Sequence, residues 1–374
     1  MGHTRSSFPG TTAISRDNFP GKPCGRWAIR RQTRTEAETR VAASQTDPPL
    51  LTVAIPTCNG ASHVAEAVRS TLSQAGPPFE LIVVDDRSDD DSMALIRAAA
   101  GDRAKIEVNS ERLGLAGNWT RCAALARTPL VSIFHQDDVM LPGHLSAHAA
   151  SFVADGSLGM IASASMVIDD RGQPVLPTVV EQGGLGPINH VVEPGQLATS
   201  MANGNPLRCS AVTLNVVAFQ QMGGFDPLWR YVVDWDFWLR LSRAWRVAWL
   251  ARPTVLVRWH SASETHRFKT RMDDLDESAR ILEQLFAVDL KDHAEVTRLR
   301  RAAHDRLSRA FLIRAHDSLC AGHIDVARNA LGKALESSPR LIKTILRDPR
   351  LCAQMTALAL APRLAARLFA NPKS

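Results

Sequence analysis

The sequence is poor in aromatic residues, 6% of 374 with a single tyrosine, and it has only six cysteines. Cys24, Cys58, Cys122, Cys209, Cys320 and Cys352 are far apart and form no C-x-x-C pair. That pattern argues against a zinc site or a disulfide framework and for free thiols in a reducing compartment. No window of about 18 residues is apolar and uncharged. The nearest approach, residues 351–368, is broken by Pro362 and carries Arg363 and Arg367. No apolar signal core precedes Leu50, so secretion is not expected and the protein reads as cytoplasmic.

The chain carries 45% hydrophobic and 22% charged residues, the composition of an ordinary globular protein. At about 150 residues per domain, its length allows two to three of them. Charge is divided unevenly. Residues 1–48 hold 8 Lys+Arg against 4 Asp+Glu (+4), residues 49–279 hold 19 against 25 (−6), and residues 280–374 hold 17 against 9 (+8), which sums to the formal +6. The middle, where the motifs lie, is therefore acidic. Basic and aromatic residues do not interleave as a nucleic-acid surface requires, so nucleic acid is not expected as a partner. Two solvated basic ends are one reading; contact with an anionic membrane or an acidic partner is the other.

Residues 1–48 are rich in Arg, Thr, Ser, Gly and Pro without periodicity and read as a flexible basic leader. From Leu51 onward, short apolar runs alternate with helical spacing. Leu51–Ile55 precedes Val64, Val68 and Leu72; Leu81–Val84 precedes Met93, Leu95 and Ile96, with Ser88 or Asp89 as the expected helix cap. Leu130–Phe134 follows a helix around Trp119–Ala126. This alternation predicts an α/β domain over residues 49–275 with a parallel, doubly wound sheet. Residues 276–374 turn helical, and Ala310–Pro339 resembles one tetratricopeptide-like helix pair.

Acidic groups sit just past the apolar runs, where a doubly wound sheet collects its ligand-binding loops. Asp85-Asp86 can either accept hydrogen bonds from a base or ribose or simply cap the next helix. No G-x-G-x-x-G follows the first strand, which disfavours a dinucleotide cofactor, and the Gly-rich phosphate loop that nucleotidyl transfer would want is also missing. Asp137-Asp138 can share a divalent cation with a diphosphate. His260 offers a nitrogen ligand suited to Mn2+, or is a packed histidine. In Asp234-Trp235-Asp236, helical spacing places Trp235, Trp238 and Leu239 on one face and pairs Asp236 with Arg240; Asp234 reads as an N-cap or as a general base.

These residues, taken in order, resemble the family 2 inverting glycosyltransferases. The matching segments are Val53-Ala54-Ile55-Pro56-Thr57-Cys58-Asn59-Gly60, Val84-Asp85-Asp86-Arg87-Ser88, Arg112-Leu113-Gly114 with Asn118, and His135-Gln136-Asp137-Asp138 followed by Pro142. Gly223-Gly224-Phe225-Asp226 and Asp234-Trp235-Asp236-Phe237-Trp238-Leu239-Arg240 complete the series. The resemblance covers about residues 50–265. It implies a GT-A type, Rossmann-like fold, with a mostly parallel sheet flanked by helices, and transfer of a single sugar from a nucleoside-diphosphate sugar to an acceptor hydroxyl with inversion. By the same resemblance, Pro56, Thr57, Asn59, Asp85, Asp86, Arg112, Asn118, Gln136 and Asp137 would bind the nucleotide sugar. Asp138 and His260 would hold a divalent cation, Mn2+ or Mg2+, and Asp234 would be the base. Gly224, Phe225 and Trp235 would lie on the acceptor side.

Three departures from the family pattern are visible. His135 stands where many members carry an Asp, Val233 where many carry a Glu, and Val255-Leu256-Val257-Arg258-Trp259 lacks the Gln of the processive Q-x-x-R-W signature. The last argues against polymer synthesis. The first two favour an alternative, a catalytically weak nucleotide-sugar-binding protein that docks through its helical C-terminal region. The acceptor, whether saccharide, lipid-linked or small molecule, is not read from the sequence. The amphipathic ending (Leu351, Met355, Leu358, Leu364, Leu368) either packs as core or rests peripherally on the inner face of a membrane.

Overall fold

Leu51–Thr57 forms a strand, β1, that is buried along its whole length because both of its faces find apolar partners. Leu51, Val53 and Ile55 join the core on one side of the sheet and Ala54 joins the core on the other. Such two-sided burial is what a near-continuous apolar run is for. The structure, a computed structural model, describes residues 48–175, 180–181, 184–260, 263, 272–288 and 293–369. The leader expected over residues 1–48 lies, except for Pro48, outside the described residues.

After β1 come α1 (Val64–Leu72), β2 (Phe79–Asp85), α2 (Ser92–Ala100), β3 (Lys105–Val108), α3 (Gly114–Leu125) and β4 (Leu130–Ile133). The four strands pair in parallel in the order β3-β2-β1-β4. The cap expected at Ser88 or Asp89 falls instead at Asp91, because Asp90 accepts from the backbone and hydroxyl of Ser92 and so starts the helix later. The short β5 (Val139–Met140), α4 (His144–Ala154), β6 (Leu158–Ile168), β7 (Val180–Glu181), β8 (His190–Val192) and α5 (Leu197–Met201) follow. Then come β9 (Val212–Asn215), α6 (Val216–Gln221), α7 (Val233–Ala244) and β10 (Arg246–Arg258).

The sheet continues past β4 through β9, β6 and β10 to β5. It is mixed: β9 runs antiparallel to both β4 and β6, while the long β6–β10 ladder is parallel. The parallel ladders are the longer ones, and the antiparallel ones short. This geometry positions the site. Two reversals around β9 leave β6 and β10 pointing the same way as β1, β2 and β4. All five therefore end at one edge of the sheet, and the antiparallel β9 begins there.

The C-terminal helices are α8 (Asp273–Val288), α9 (His293–Cys320), α10 (Ile324–Ser337), α11 (Leu341–Arg347), α12 (Pro349–Leu360) and α13 (Pro362–Phe369). The α9–α10 hairpin turns at Gly322, whose φ of +81° suits glycine. Helix α8 spans the expected domain boundary at 275/276 and packs Ile281, Leu282, Leu285 and Phe286 into the core of the α/β domain. The later helices have a core of their own around Phe311, Ala315, Leu319, Ala330 and Leu358. Asp274–Arg314 and Asp276–Lys333 ion pairs tie α8 to them. Among the described residues, no helix is long and apolar enough to cross a membrane.

Candidate active site

At the β1 and β2 ends, polar side chains knit the loops together. Gln136 clamps the backbone of Cys58 from both sides, accepting from its N–H at 3.0 Å and donating to its carbonyl at 3.1 Å. Gly60 lies so close to this clamp that a Cβ there would stand 2.1 Å from Gln136 Oε1. Asn59 adopts a left-handed conformation (φ +51°), which its short polar side chain supports by accepting from Asp89 N–H at 2.9 Å. The half-exposed Arg112 donates to the Arg87 carbonyl at 3.0 Å and to Asp89 at 3.3 Å.

Several residues expected on the nucleotide are buried. Asp86 is buried, and both of its oxygens are taken by the amino end of α3: Oδ1 accepts from Leu113 N–H at 2.7 Å and Oδ2 from Gly114 N–H at 2.9 Å. Asn109 also donates to Asp86 Oδ1 and to Asn118, which in turn donates to the Val84 carbonyl. The polar groups of Asp86 and Asn118, both expected on the nucleotide, are thus bonded within the protein. Asp85 accepts from Ser88 N–H and Oγ at 3.0 and 2.5 Å. Pro56 and Thr57 are buried strand residues, and Thr57 Oγ1 has no hydrogen-bond partner among the described residues.

The adjacent carboxylates after β4 differ sharply in environment. Asp138 is buried, with Oδ2 accepting from Ser210 Oγ at 2.5 Å and Oδ1 from Arg258 N–H at 2.9 Å. Burial and the charge of Asp137 push its carboxyl up to about 8. Asp137 is the more accessible of the two and meets His260 Nε2 at 3.0 Å. Burial alone would raise its carboxyl, but the bond to His260 and the proximity of His135 hold it below the ordinary value. Of the two expected metal ligands, His260 meets Asp137 directly, while Asp138 is turned inward to Ser210 with its ligand atom still within 4.8 Å of those of His135 and Asp137. His135 packs on Trp119 at 5.0 Å, and its burial favours the neutral imidazole.

Asp234 stands on the first turn of α7, one residue inside the helix rather than at its cap. Its Oδ1 accepts from Trp235 N–H and its Oδ2 from Asn205 Nδ2, both at 2.8 Å. Burial pushes its carboxyl up to about 6, against these hydrogen bonds and the charge of Arg208. The segment 208–210, just before β9, joins the two carboxylate sites. Arg208 lies within electrostatic reach of Asp138 and Asp234 and forks onto Glu181, with Nε at 2.8 Å from Oε2. Ser210, two residues on, holds Asp138. Arg208 and Cys209 thus lie within electrostatic reach of both Asp138 and Asp234. Sequence reading missed Glu181, Asn205, Arg208 and Ser210, which carry no motif.

The acceptor-side expectations need correction. Phe225 is buried among Trp119, Phe219, Phe237 and Trp238, at 5.0 to 6.4 Å between rings. Trp235 is also buried, with Nε1 lacking a partner among the described residues. Both are core residues that seat α7, because the apolar face of that helix is the one turned inward. Gly224, at φ +72°, brings its carbonyl to Arg240 Nη2 at 2.8 Å, while Asp236 pairs with Arg240 as its spacing predicts.

Residues 52–205 match the model for glycosyl transferase family 2. The chain is also 32% identical over 236 residues to Uncharacterized protein MT1568 of Mycobacterium tuberculosis, covering 61% of this chain and 73% of that one. The chain belongs to glycosyl transferase family 2. It is 30% identical over 143 residues to the succinoglycan biosynthesis protein ExoU of Rhizobium meliloti, which spans 37% of this glycosyltransferase and 41% of ExoU. In fold it is similar to S. aureus TarS (residues 1–349), with a TM-score of 0.53 and 14% identity over 85% of this chain and 90% of that one. TarS has also been solved with UDP-GlcNAc, at the same TM-score. The mixed sheet flanked by helices is thus the GT-A type, and the enzyme is a glycosyltransferase.

Proposed function

We infer that this glycosyltransferase moves a single sugar from a nucleoside-diphosphate sugar to an acceptor hydroxyl with inversion, and that Asp234 is the base. The observation that carries this reading is the contrast between two acid sites, Asp137 held low beside His260 and Asp234 raised by burial on the first turn of α7, with Arg208 within electrostatic reach of Asp138 and Asp234. UDP-GlcNAc bound to the similarly folded TarS supports a nucleotide sugar as the donor class.

Asp234 accepts the hydroxyl proton as the acceptor oxygen attacks the anomeric carbon from the face opposite the diphosphate. The carbon–oxygen bond to the diphosphate breaks, and the leaving group keeps the electron pair. The raised carboxyl is closer in basicity to its task than an exposed aspartate, and it is ionised above about pH 6. Asn205 and the Trp235 N–H fix both of its oxygens and so aim the remaining lone pairs. Arg208 adds positive charge between the two carboxylate sites.

A divalent cation fits the other end. Ligand atoms of His135, Asp137 and Asp138 lie within 4.8 Å of one another, and His260 Nε2 touches Asp137. Asp137 and His260 would hold it, and when bound it would neutralise charge developing on the diphosphate. Mn2+ suits the nitrogen ligand better than Mg2+. Purified protein incubated with a panel of nucleotide sugars and Mn2+ tests the reading through release of nucleoside diphosphate. No release with any donor and acceptor would sink it.

We also propose that the enzyme works at an anionic membrane surface. Leu346, Leu360, Leu364 and Leu368 are exposed on the C-terminal helices, and Lys343, Arg347, Arg350, Arg363 and Arg367 lie among them in the sequence. Apolar contact combined with basic charge is the pairing that binds acidic headgroups.

A further inference from the structure

His63, Asp170 and His260 come from the loops after β1, β6 and β10, and their ligand atoms all lie within 4.8 Å of one another. His63 Nε2 stands 3.1 Å from Asp170 Oδ1, and the two imidazoles meet edge to face with ring centres 5.0 Å apart. Both histidine side chains are mostly buried, whereas Asp170 faces solvent. We propose that this triad is a second metal site, which takes a zinc-class divalent ion and shares His260 with the cation site ascribed to Asp137.

Two imidazole nitrogens and one carboxylate oxygen make a donor set suited to zinc, with an open position for water. The surroundings are built to hold the donors still. Arg258, buried at the end of β10, donates through Nη1 to the carbonyls of Asp169 and Asp170 at 3.2 and 3.1 Å. Its Nε donates to the Asp137 carbonyl at 2.9 Å and its Nη2 to Glu66 at 2.7 Å, on the helix that His63 precedes. One guanidinium therefore fixes the backbone of Asp137 and Asp170 and holds the Glu66 carboxylate on the helix after His63, as outer partners do for a metal's ligands. A simple His63–Asp170 ion pair explains less. Asp170 is 69% exposed, where such a pair contributes little, and the pair needs no second imidazole at the same point.

His260 stands in both constellations, since its Nε2 is 3.0 Å from Asp137. An ion on the triad draws on the ring that Asp137 uses, so filling one site weakens the other. That coupling rests on the transfer reading above; the binding itself does not.

The test titrates Zn2+ into the full chain by competition with a chromophoric chelator, comparing wild type with His63→Ala, Asp170→Asn and His260→Ala. The cysteines are common to all four and set a shared background. One equivalent above that background is expected in wild type, with affinity falling at least about 10- to 100-fold in His63→Ala and in Asp170→Asn. Asp170→Asn changes an exposed turn and serves if His63→Ala does not fold. Wild-type zinc uptake by both of these variants, loss of uptake in His260→Ala alone, or no uptake by wild type overturns the site. In transfer assays with Mn2+, Zn2+ should inhibit wild type and spare His63→Ala; equal inhibition overturns the coupling. If no donor is ever used, a positive titration still stands while the transfer reading falls.

Discussion

Glu277, on the helix that opens the C-terminal region, caps the chain just ahead of Asp234. Its carboxylate accepts from the N–H groups of Arg230, Tyr231 and Val232, with the shortest bond, to Tyr231, at 2.7 Å. Helix α7 has no cap of its own, since Val232 offers no side-chain acceptor. The helical region thereby sets the place of the proposed base. Glu277→Ala removes the acceptor of three backbone donors, of which that of Val232 is buried, and should destabilise the protein by about 2–4 kcal/mol, the range for lost hydrogen bonds to a charged acceptor. Denaturant unfolding measures this. In protein that remains folded, transfer should slow while nucleotide affinity holds; an unchanged kcat would show that α7 needs no such anchor.

Asp234→Asn should lower kcat by about 10²–10⁴-fold, the usual contribution of a positioned proton acceptor, with nucleotide binding intact. In wild type the ascending limb of the kcat/KM profile should lie near 6, where burial holds this carboxyl in the free enzyme. Stability carries the same signature. From its ordinary value of 3.8 up to about 6 the folded protein keeps a proton that the unfolded chain releases. Wild-type stability therefore declines relative to Asp234→Asn as pH rises through that window, by about 1–3 kcal/mol, and the difference is constant above it. A flat difference between pH 4 and 7 would mean that the carboxyl is not raised.

The strands of the first half, the acidic groups at their ends and the Asp236–Arg240 pair were all legible because each is local. An apolar run, a turn and a helical stripe lie within a dozen residues of one another. Arg208 and Ser210 were not legible, since their importance arises only when β9 inserts between β4 and β6 and carries its first residues to the edge where Asp138 ends. The resemblance gave Asp137 to the nucleotide sugar and Asp138 to the cation, but the adjacent residues themselves carried no sign of which faces inward. Adjacent residues diverge only once Ser210 and Arg258 take one of them and His260 the other. Phe225 and Trp235 misled for the opposite reason: the resemblance put both on the acceptor side, but tertiary packing turned both inward.

Gly60→Ala should disable the clamp between the first and fourth strand ends. The new methyl would meet Gln136 Oε1 at 2.1 Å, so the side chain must leave Cys58. Overpacking of this kind costs about 1–3 kcal/mol. Nucleotide affinity should fall with it, and Gln136→Ala in the same chain should restore stability but not affinity. Equal affinities in wild type and Gly60→Ala would leave the clamp without a role in binding.

Sedimentation with lipid vesicles tests the membrane proposal. Binding should require anionic lipid, fall as salt rises, and disappear in Leu364→Glu/Leu368→Glu, which removes exposed apolar contacts without touching the core. Neutral vesicles binding equally well would exclude the basic residues as the cause.

Arg208 offers the sharpest check on the proposed base, because it acts on Asp234 through charge alone. Its positive charge opposes the burial that raises the base. Arg208→Met by itself would strand Glu181, so the informative variant is Arg208→Met/Glu181→Gln, which removes the ion pair as a unit. The ascending limb of the pH profile should then move above its wild-type position near 6, while Arg208→Lys, which keeps the charge and loses the fork, should leave it close to wild type. Loss of activity without a moved limb would assign Arg208 to substrate contact instead. A limb unmoved at full activity would place Asp234 out of its reach.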